Sequence, residues 1–529
     1  MTVVKSLIKK NTFYDSLTLM RVSKSASELE DVVQAAAVMA SDINKEILAD
    51  IGLLTDQVKD ANANDLVISI STKTNSAAES AIEAIEKMLV EVKSPKSTKA
   101  TVRTLESALE RLPDANLAMI SVPGPFAKLE AKKALERGLN VLLFSDGVSL
   151  EDELELKKIA RNKDLLMMGP GCGTAIINGV GLGFANAVQK GPIGIVGAAG
   201  TGIQQVTTLI DQVGSGISQA IGTGGRDLSD DIGGIMMLKG IEILENDMDT
   251  KVIILISKPP GPETEKAILK TSWTKPIVVC FIGGKSITPR DRTVVPVETL
   301  EEASMTAVAL LRNKNSKKVT LSLPSDEILN IANREWVKIN PQQKYVRGLY
   351  SGGTLCSESF VILSKLLVNV YSNVTKSEFK LTDVKNSKEH TCLDMGEEEF
   401  TASRAHPMID PLLRQQRLIN EAKDPECAVI LLDVVLGYGS HMDPAGELSK
   451  SIKEAKSMCE KQGRYLSVVA SVIGTDKDPQ GLRNQVDKLV DAGVVVMASN
   501  VQAARMAALI ATRGKVAQEF WRDIRIENN

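Results

Sequence analysis

The apolar positions of the first ~95 residues change period along the chain. The segment "SLTLMRVS" (16–23) alternates apolar and polar residues and therefore predicts a strand. Ser25 and Glu28 have the spacing of a capping box, which predicts a helix over the following "LEDVVQAAAVMA". A second strand is predicted at "DLVISIST" and a second helix at "SAAESAIEAIEKMLVEV". Together they predict a small α+β unit, bounded by the polar, breaker-rich "KSPKSTK" around Pro95.

From about Thr101 the pattern changes to apolar strands that alternate with amphipathic helices. Buried strands are predicted at "LAMISVP", "NVLLFSD" and "LLMMGPGCG", and the helix "AKLEAKKALERG" is expected to end at Gly138. This alternation is typical of a doubly wound parallel sheet, in which ligands bind where the strands end. The loops "VPGPF" (122–126) and "GPGCGT" (169–174) are therefore expected at the functional edge.

Two further α/β units share one plan of strand, glycine turn, helix, strand and glycine loop. The first contains "IGIV", "GISQAIGTGG", "VIILISKPPG" and "IVVCFIGG". The second contains "VRGLYSGGTLCSESF", "TCLDMG", "CAVILLDVVLGYG", "YLSVVASVIG" and "VVVMAS". The charged segment "LLRNKNSKKVTLSLPSD" between them is typical of a linker. The shared plan indicates an approximate internal duplication rather than a repeat that aligns residue by residue.

The predicted fold class is therefore α/β with several domains and doubly wound parallel sheets. A small α+β N-terminal domain is expected at 1–97 and a Rossmann-like domain at 98–190. The two α/β units are expected to form domains at 191–315 and 316–529.

Composition excludes several function classes. The chain has 529 residues, a net charge of −3 and only 3% aromatic residues, with no basic stripe, so nucleic acid is not expected as a partner. The N-terminal "MTVVKSLIKKNTFYDS" lacks the apolar stretch of a secretory signal. No apolar run approaches the ~18 residues that cross a membrane. We therefore expect a soluble, cytoplasmic protein.

The thiols and imidazoles do not have metal-site spacing. The six cysteines contain no CxxC pair, which favours free thiols in a reducing compartment. The only histidines are His390, His406 and His441, with no HxH or HExxH pattern, so no metal site is predicted.

A glycine-rich turn joins strand and helix in "GPIGIVGAAGTGIQQVTTLI" (191–210). Its GxxGxG order is neither the GxGxxG of a dinucleotide fold nor a P-loop, because no lysine follows. Glycines nevertheless let a ligand approach the backbone, the Thr201 hydroxyl can donate, and the helix N-terminus favours an anion. Taken alone, such a turn is more often only a turn.

A second turn in "GLYSGGTLCSESF" repeats this arrangement and changes the interpretation. If the two units pack with these turns facing each other, both helix N-termini converge on one point and can bind one phosphate. Some of these residues are expected to supply only turn geometry. The predicted phosphate-binding residues are Ala199, Gly200, Thr201, Gly202, Gly352, Gly353 and Thr354.

Two histidines lie in motif-like loops, "RAHPMIDP" and "GYGSHMDP". His406 and His441 are candidate catalytic residues, because a histidine near neutral pKa can orient or deprotonate an amine. The alternative is that these rings only hydrogen-bond the backbone. Arg404 and Asp443, in the same loops, are candidate substrate-binding residues.

Other polar residues follow the strands of the first α/β unit. Arg226 is a candidate catalytic residue and Asp227 a substrate-binding one, unless they pair only with each other. Lys258 ends a strand and is a candidate for polarising a carbonyl group. Cys172 and Cys356 lie beside glycine loops without an evident base, which favours small apolar filler over a nucleophile.

These segments resemble succinyl-CoA synthetases over roughly Thr101 to Asn529. The first α/β unit, with "IGTGG", is similar to the ligase domain of the synthetase α-subunit, and "LDMG" and "AVILLDVVLGYG" to that of the β-subunit. "VPGPFAKLEAKKALERG" and "GPGCG" resemble the CoA-binding domain. Domains 98–190, 191–315 and 316–529 are accordingly expected to be CoA-binding-like, α-ligase-like and β-ligase-like, the two ligase-type domains flavodoxin-like.

The chain departs from the synthetases at two points. No histidine occurs in "KSITPRDRTVVPVETLEE", where the resemblance places the phosphorylated histidine, and no segment corresponds to an ATP-grasp domain. The domain order, the N-terminal extension, "AHPMIDP" and "LGYGSHMDP" are similar to the FdrA family. That resemblance implies a phosphate site which binds a small acyl or carbamoyl phosphate directly, without a covalent phosphohistidine.

For function, the resemblance implies oxamate carbamoyltransferase of allantoin degradation, acting with other subunits in a hetero-oligomer. Its substrates would be carbamoyl phosphate or phosphate with oxamate or oxalurate. One alternative is an acyl-CoA synthetase or acyltransferase, and another is a non-catalytic phosphate-binding scaffold. No cofactor is firmly implied. CoA is possible but disfavoured, because we interpret the loops with Pro123, Gly124, Gly171 and Cys172 as a relic of a CoA site.

Overall fold

A computed structural model of the chain separates into two compact units. The first unit consists of residues 1–102 and 398–413, and the second of residues 103–397 and 414–529. No helix among the described residues is long and apolar enough to cross a membrane. The predicted boundary around Pro95, and residues 313–320 of the predicted linker, lie outside the described residues. The structure describes residues 3–27, 29–93, 102, 104–284, 293–312, 321–401 and 404–517.

The first unit contains a three-stranded antiparallel sheet in the order β1-β3-β2. Its central strand β3 is buried along its whole length, and Ile68 and Ile70 pack against helix residues such as Leu19 and Ile85. Its elements are β1 (Val3–Lys9), α1 (Ser16–Ser27), β2 (Val32–Met39), α2 (Asp42–Asp50), α3 (Asp56–Lys59), β3 (Leu66–Thr72) and α4 (Asn75–Lys93).

Two of the element predictions in this unit are wrong. The segment predicted as a strand forms helix α1, because Leu19, Val22 and Ala26 share one helical face and are all buried. The alanine-rich segment predicted as a helix forms strand β2, which pairs with β3 from Val32 to Met39. Sheet pairing and burial there override the helix propensity of alanine. Ser25 lies inside α1, and Glu28 lies outside the described residues.

The Rossmann-like part of the second unit contains a three-stranded parallel sheet in the order β4-β5-β6. Gly138 has a φ of +81° and ends the turn after α6, as predicted. The segment "LAMISVP", predicted as a buried strand, forms only the short strand β4. This strand lies at the edge of the sheet, where Met119 is 53% exposed. The elements are α5 (Leu105–Arg111), β4 (Leu117–Ile120), α6 (Gly124–Glu136), β5 (Asn140–Leu143), α7 (Leu150–Asn162) and β6 (Met167–Met168).

The first ligase-like part contains a seven-stranded sheet in the order β13-β12-β11-β9-β10-β7-β8. Its strands are parallel except at the β7–β8 hairpin, where β7 pairs antiparallel with β10. The elements are β7 (Thr174–Ile177), β8 (Val180–Gly183), β9 (Lys190–Gly197), α8 (Gly200–Gln212), β10 (Ile217–Gly222), α9 (Ile235–Asn246), β11 (Val252–Ser257), α10 (Pro262–Lys270), β12 (Ile277–Phe281), β13 (Val294–Val297) and α11 (Leu300–Leu311).

The second ligase-like part contains a six-stranded, wholly parallel sheet in the order β15-β16-β14-β17-β18-β19. Its short helix α14 belongs to the first unit. The elements are α12 (Ser325–Trp336), β14 (Tyr345–Tyr350), α13 (Gly353–Leu366), β15 (Val370–Ser372), β16 (His390–Asp394), α14 (Glu398–Thr401), α15 (Leu412–Lys423), β17 (Cys427–Val435), α16 (Pro444–Lys461), β18 (Ser467–Ile473), α17 (Leu482–Asp491), β19 (Val495–Met497) and α18 (Asn500–Ala511).

The two ligase-like sheets place corresponding strands at their centres. In each sheet a central strand, β9 or β14, runs into a glycine turn and then a largely buried helix, α8 or α13. Strands β11, β12, β17 and β18 are buried along their whole length, as the continuous apolar runs in the sequence require. The predicted α/β class with several parallel sheets and a small N-terminal domain is confirmed.

Candidate functional site

The N-terminal ends of α8 and α13 meet. A Cβ atom built on Gly202 would lie 2.9 Å from Cγ2 of Thr354, and one built on Gly352 would lie 2.9 Å from Oγ1 of Thr201. Glycine at both positions therefore allows the two turns to touch. The predicted packing of the two glycine turns against each other is confirmed.

The first-turn amides of both helices are unused. Neither N-cap residue, Ala199 or Gly352, caps its helix with a side chain. The amides of residues 200–202 and 353–355 donate to no acceptor within the described part of the chain. Each helix end carries roughly half a positive charge, so the two ends together favour an anion.

The Thr201 hydroxyl is also without a partner. Thr201 is only 8% exposed, and its Oγ1 is buried with no hydrogen bond to any described residue. A buried hydroxyl without a partner costs about 1–3 kcal/mol, which a bound acceptor would recover. This orphan donor stands where the two helices converge and indicates that the site is built for an oxygen-rich anion.

The turn before α13 is held by a buried ion pair. The Ser351 amide donates to Oδ1 of Asp433 at 2.9 Å and the Gly352 amide to Oδ2 at 2.8 Å. Arg414 neutralises this carboxylate with a 2.7 Å contact to Oδ1. These contacts use the amides just before the helix and leave those of its first turn available to a ligand.

A carboxyl group that the sequence analysis did not select lies beside this turn. Asp394 ends β16 and is paired in register with Tyr350, two residues before Gly352. A Cβ atom built on Gly353 would collide with Oδ2 of Asp394. Its place at a strand end in "TCLDMG", next to the strand that carries the glycine turn, is a signal that the sequence did contain.

Lys258 follows β11 and brings positive charge to this edge of the sheets. Its charge opposes the rise in pKa of Asp394 and Cys356, which places it within electrostatic reach of both. Among the described residues, the Lys258 side chain has no hydrogen bond or ion pair. It is therefore available to a ligand, in line with its predicted role.

The loop that carries His441 approaches the tip of α8 through two intermediaries. A Cβ atom built on Gly439 would lie 3.1 Å from Cδ1 of Phe184, whose carbonyl oxygen accepts a 2.8 Å hydrogen bond from Thr174. Oγ1 of Thr174 in turn lies 3.3 Å from the position of a Cβ atom on Gly200. The "GYGSHMDP" loop is thus linked to the α8 turn through Phe184 and Thr174, and the role of His441 stays a prediction.

The hydrogen bonds of the two loop histidines define their tautomers. Nδ1 of His441 accepts from the Asp443 amide at 3.0 Å, and Nδ1 of His406 accepts from the Met408 amide at 3.2 Å. In the neutral ring the proton then lies on Nε2, which leaves no ring nitrogen free to accept one. Both imidazoles are suited to orient a substrate by donating a hydrogen bond rather than to deprotonate an amine.

Arg404 and His406 belong to the first unit, within the segment 398–413. Burial lowers the pKa of His406 to about 4, so this ring is neutral near pH 7. Burial also lowers the pKa of Arg404 to about 10, against the opposing charge of Asp410. Their predicted roles in substrate binding and catalysis remain predictions.

Arg226 and Asp227 are engaged in a buried ion-pair cluster rather than paired with each other. Lys157 is fully buried and contacts Glu153 and Asp227 at 2.8 Å each. Oδ2 of Asp227 also accepts the Met237 amide, and Arg226 pairs with Glu153 at 2.8 Å. The cluster docks α7 on the loop after β10, and it takes the fully buried Asp227 away from its predicted ligand contact. The Arg226 side chain is 46% exposed, and its predicted catalytic role stays a prediction.

Asp443 also makes structural contacts. It is the N-cap of α16, where Oδ1 accepts the Gly446 amide at 3.2 Å. The same oxygen accepts from Gln485 at 3.0 Å and from Lys488 at 2.8 Å. Oδ1 of this carboxylate therefore begins the helix, while the side chain is 43% exposed and its predicted role in substrate binding stays a prediction.

The loops interpreted as a relic CoA site are closely packed at two glycines. A Cβ atom on Gly124 would lie 2.5 Å from the carbonyl oxygen of Gly147, and one on Gly171 would collide with the carboxylate of Asp146. Cys172 is buried with its pKa raised to about 11 by desolvation, so it is not a nucleophile near pH 7.

The parallel α/β fold and its paired glycine turns are those of a CoA-ligase-like protein, and comparison with known families agrees with this class. A model of the CoA-ligase domain matches residues 349–510. A model of the CoA-binding domain matches residues 188–283, within the segment expected to be α-ligase-like rather than the segment 98–190 expected to be CoA-binding-like. Residues 1–104 match a model described as "AllF, heavy metal-associated domain". The chain therefore combines CoA-ligase-like domains with an AllF-type N-terminal domain, which suggests a connection with the allantoin pathway.

Sequence relatives define the family. The protein YahF of Escherichia coli, described as uncharacterized, is 46% identical over 520 residues, covering 97% of this chain and 100% of its own length. The chain belongs to the same family as YahF, the succinyl-CoA synthetase-like FdrA family. The α1 subunit of the ADP-forming succinate–CoA ligase of Archaeoglobus fulgidus is 29% identical over 39% of this chain and 70% of its own.

Among solved structures, ATP citrate lyase of Methanothrix soehngenii aligns with a TM-score of 0.34 at 16% identity, over 44% of this chain and 45% of the lyase chain. An acetyl-coenzyme A synthetase of Ca. Korarchaeum cryptofilum aligns with a TM-score of 0.29 at 15% identity, over 75% of this chain and 83% of its own. At these scores the likeness carries no argument about function.

The description of the N-terminal domain implies a heavy-metal site, which its residues do not fit. Heavy metals of this kind are bound by thiolate and imidazole ligands. The first cysteine of the chain is Cys172 and the first histidine is His390, so residues 1–104 contain neither ligand type. The domain therefore matches this family model without carrying a thiolate or imidazole ligand.

Proposed function

We propose that this protein is the phosphate-binding subunit of a carbamoyltransferase that interconverts carbamoyl phosphate plus oxamate with oxalurate plus phosphate. One observation carries the proposal: two helix N-termini meet with six unused amides around the buried, unpartnered hydroxyl of Thr201. A dianionic phosphate group supplies acceptors for these donors, and Lys258 adds a charge that can polarise the carbonyl oxygen or balance the phosphate.

The absence of a carrier histidine supports direct binding of the acyl phosphate. In this sequence no histidine precedes His390, so none lies between β12 and β13, where the resemblance to synthetases places the phosphorylated residue. His390 itself lies at the start of β16 and accepts the Val346 amide through Nδ1. Carbamoyl phosphate needs neither a covalent phosphohistidine nor a nucleotide, because its phosphate is already the leaving group.

Two observations support the choice of reaction. The N-terminal domain is AllF-type, and the resemblance to the FdrA family implies allantoin degradation. In this proposal the amide nitrogen of oxamate is held beside the carbonyl carbon of carbamoyl phosphate, and stabilisation of the departing phosphate by both helix ends lowers the barrier. We propose that other subunits complete the acceptor site and that the active assembly is a hetero-oligomer in the cytoplasm.

The proposal is tested with the full-length protein. Isothermal titration with inorganic phosphate and carbamoyl phosphate should show one site each, competing with one another. With its partner subunits added, the protein should release phosphate from carbamoyl phosphate only when oxamate is present. Failure to bind either ligand, together with no oxamate-dependent phosphate release, would contradict the proposal.

A second candidate is an acyltransferase that uses CoA. The match of residues 188–283 to a CoA-binding domain favours it. Titration of the full-length chain with CoA separates the two functions. Tight binding of CoA without binding of carbamoyl phosphate would support the acyltransferase.

A further inference from the structure

The transfer reaction needs a group that moves a proton, and the site already described leaves that role open. Nε2 of His441 carries a hydrogen when the ring is neutral, because Nδ1 accepts the Asp443 amide. Lys258 is a cation and serves electrostatics. Thr201 is a hydroxyl donor with no base beside it among the described residues. Asp433 also touches the turn before α13, but the Ser351 and Gly352 amides and Arg414 already use its carboxylate. Among the described residues that touch the paired turns, this leaves the carboxyl group of Asp394.

We propose that the carboxyl group of Asp394 carries the proton that moves between the phosphate and the amide nitrogen during carbamoyl transfer. The inference rests on the proposed function and adds a catalytic residue to it. Asp394 reaches the paired turns through Gly353, the first residue of α13, where a Cβ atom would collide with Oδ2.

The hydrogen bonds of Asp394 leave one of its carboxyl oxygens available for proton transfer. Oδ1 accepts the Gly396 amide at 2.9 Å, which fixes the carboxyl plane. Its backbone is held on both sides by Asn373, whose side chain donates to the carbonyl oxygen and accepts from the amide at 2.9 Å each. Oδ2 has no hydrogen-bond partner in the described part of the chain and lies on the side of the α13 tip.

The surroundings of Asp394 favour a protonated carboxyl near neutral pH. The residue is 4% exposed, and burial is the main reason that its pKa rises to about 7. The charged groups that face it are Glu397 and Asp433, which raise the pKa, and Lys258, which lowers it. A group with a pKa close to the operating pH can both give and take a proton.

The chemistry balances without any further reactant. In the direction of transfer to oxamate, its nitrogen forms a bond to the carbamoyl carbon, and the bond from that carbon to the phosphate oxygen breaks. The nitrogen loses one proton to the Asp394 carboxylate, and the carboxyl then passes it to the departing phosphate. In the opposite direction, the proton of hydrogen phosphate travels through Asp394 to the leaving nitrogen of oxamate.

The first experiment uses sulfate, which does not titrate between pH 5 and 8 and therefore reports only on the protein. Full-length protein is titrated with sulfate across this range. Affinity should fall by about tenfold or more as Asp394 ionises beside the bound anion. In Asp394→Asn the affinity should be independent of pH, whereas His441→Gln should keep the wild-type dependence.

The second experiment measures turnover in the complete assembly. Asp394→Asn should bind phosphate within a few-fold of wild type but transfer the carbamoyl group about 100-fold more slowly. Glu426→Gln, an exposed carboxyl before β17, is the matched control and should behave as wild type. The wild-type pH–rate profile should show an inflection near 7 that Asp394→Asn lacks.

The outcomes separate this inference from the function on which it rests. If wild type binds phosphate and turns over, while Asp394→Asn keeps both the rate and the inflection, the role of Asp394 is overturned alone. If wild type binds neither phosphate nor sulfate, the phosphate site and this inference fall together. Should Asp394→Asn not fold, a sulfate affinity of wild type that stays constant from pH 5 to 8 overturns the inference by itself.

Discussion

Oγ1 of Thr201, in the first turn of α8, lies 2.9 Å from the position that a Cβ atom would take on Gly352, the N-cap of α13. These residues are 151 positions apart, from 201 to 352, yet any side chain at the second would touch the first. The contact joins the two ligase-like sheets at their central strands. It also brings a hydroxyl donor from one sheet to the helix tip of the other.

Replacing Thr201 with valine should separate ligand binding from stability. Thr201→Val keeps the shape of the side chain but removes the buried, unpartnered hydroxyl, so the free protein should gain up to about 1 kcal/mol. Phosphate affinity should fall about 10- to 100-fold, because one charge-assisted hydrogen bond is lost. Urea unfolding measures the first effect and isothermal titration the second.

Thr208→Val is the control on the same helix. The Thr208 hydroxyl is fully buried and donates to the Gln204 carbonyl oxygen at 2.9 Å, away from the paired turns. This variant should lose stability and keep phosphate binding. Equal phosphate affinities of Thr201→Val and wild type would remove Thr201 from the site.

Gly202→Ala should force the helix tips apart. The added methyl group would lie 2.9 Å from Cγ2 of Thr354 and 3.1 Å from Cγ2 of Ile256. Overpacking of this kind costs about 1–3 kcal/mol, and the displaced amides should no longer converge on one phosphate. A thermal melt with and without phosphate measures both effects.

The matched control is Gly225→Ala, where a Cβ atom would meet nothing within 4 Å. It should leave both the melting temperature and the shift produced by phosphate unchanged. A Gly202→Ala protein that is stabilised by phosphate as strongly as wild type would show that the convergence of the tips is not needed.

Lys157→Met should destabilise the protein through the buried ion-pair cluster. It leaves the carboxylates of Glu153 and Asp227 buried without their common cation, which typically costs 3–5 kcal/mol. Phosphate affinity of the folded protein should be retained, because the cluster is structural. Lys128→Met breaks partly exposed pairs with Asp152 and Glu155 and should change stability little.

The two variants are compared by urea unfolding, with phosphate titrations under native conditions. A Lys157→Met protein as stable as wild type would contradict the structural assignment of Asp227. It would reopen Asp227 as a ligand-binding residue.

Asp394 should make stability depend on pH in the direction opposite to an ordinary ion-paired aspartate. Its pKa is raised from 3.8 to about 7 in the folded protein, so the folded state binds more protons than the unfolded state between these values. This contribution to stability is therefore present at low pH and is lost as pH rises towards 7 and above. Asp394→Asn should be more stable than wild type at pH 8, by up to about 4 kcal/mol.

Urea unfolding at pH 5 and pH 8 checks this expectation. The advantage of Asp394→Asn should be clearly larger at pH 8, and Glu426→Gln should show no such change. An advantage of the same size at both pH values would mean that Asp394 is ionised throughout.

Strong local patterns determined much of the fold. The continuous apolar runs at β11, β12, β17 and β18 and the glycine turns after β9 and β14 predicted a parallel α/β protein, because such strands are buried on both faces. The same reasoning failed at α1 and β2. There the deciding interactions are the pairing of β2 with β3 and the burial of Leu19 and Val22, which no local pattern contains.

The candidate site also combines features that the local sequence determines with features that only tertiary contacts determine. The sequence by itself determined which turns can present free amides, because glycine spacing and a strand-to-helix change are local properties. Only the tertiary structure decided that the turns touch, that Arg226, Asp227 and Asp443 make structural contacts, and that Asp394 stands beside Gly353. Those outcomes depend on which residues far apart in the chain compete for the same charge and space.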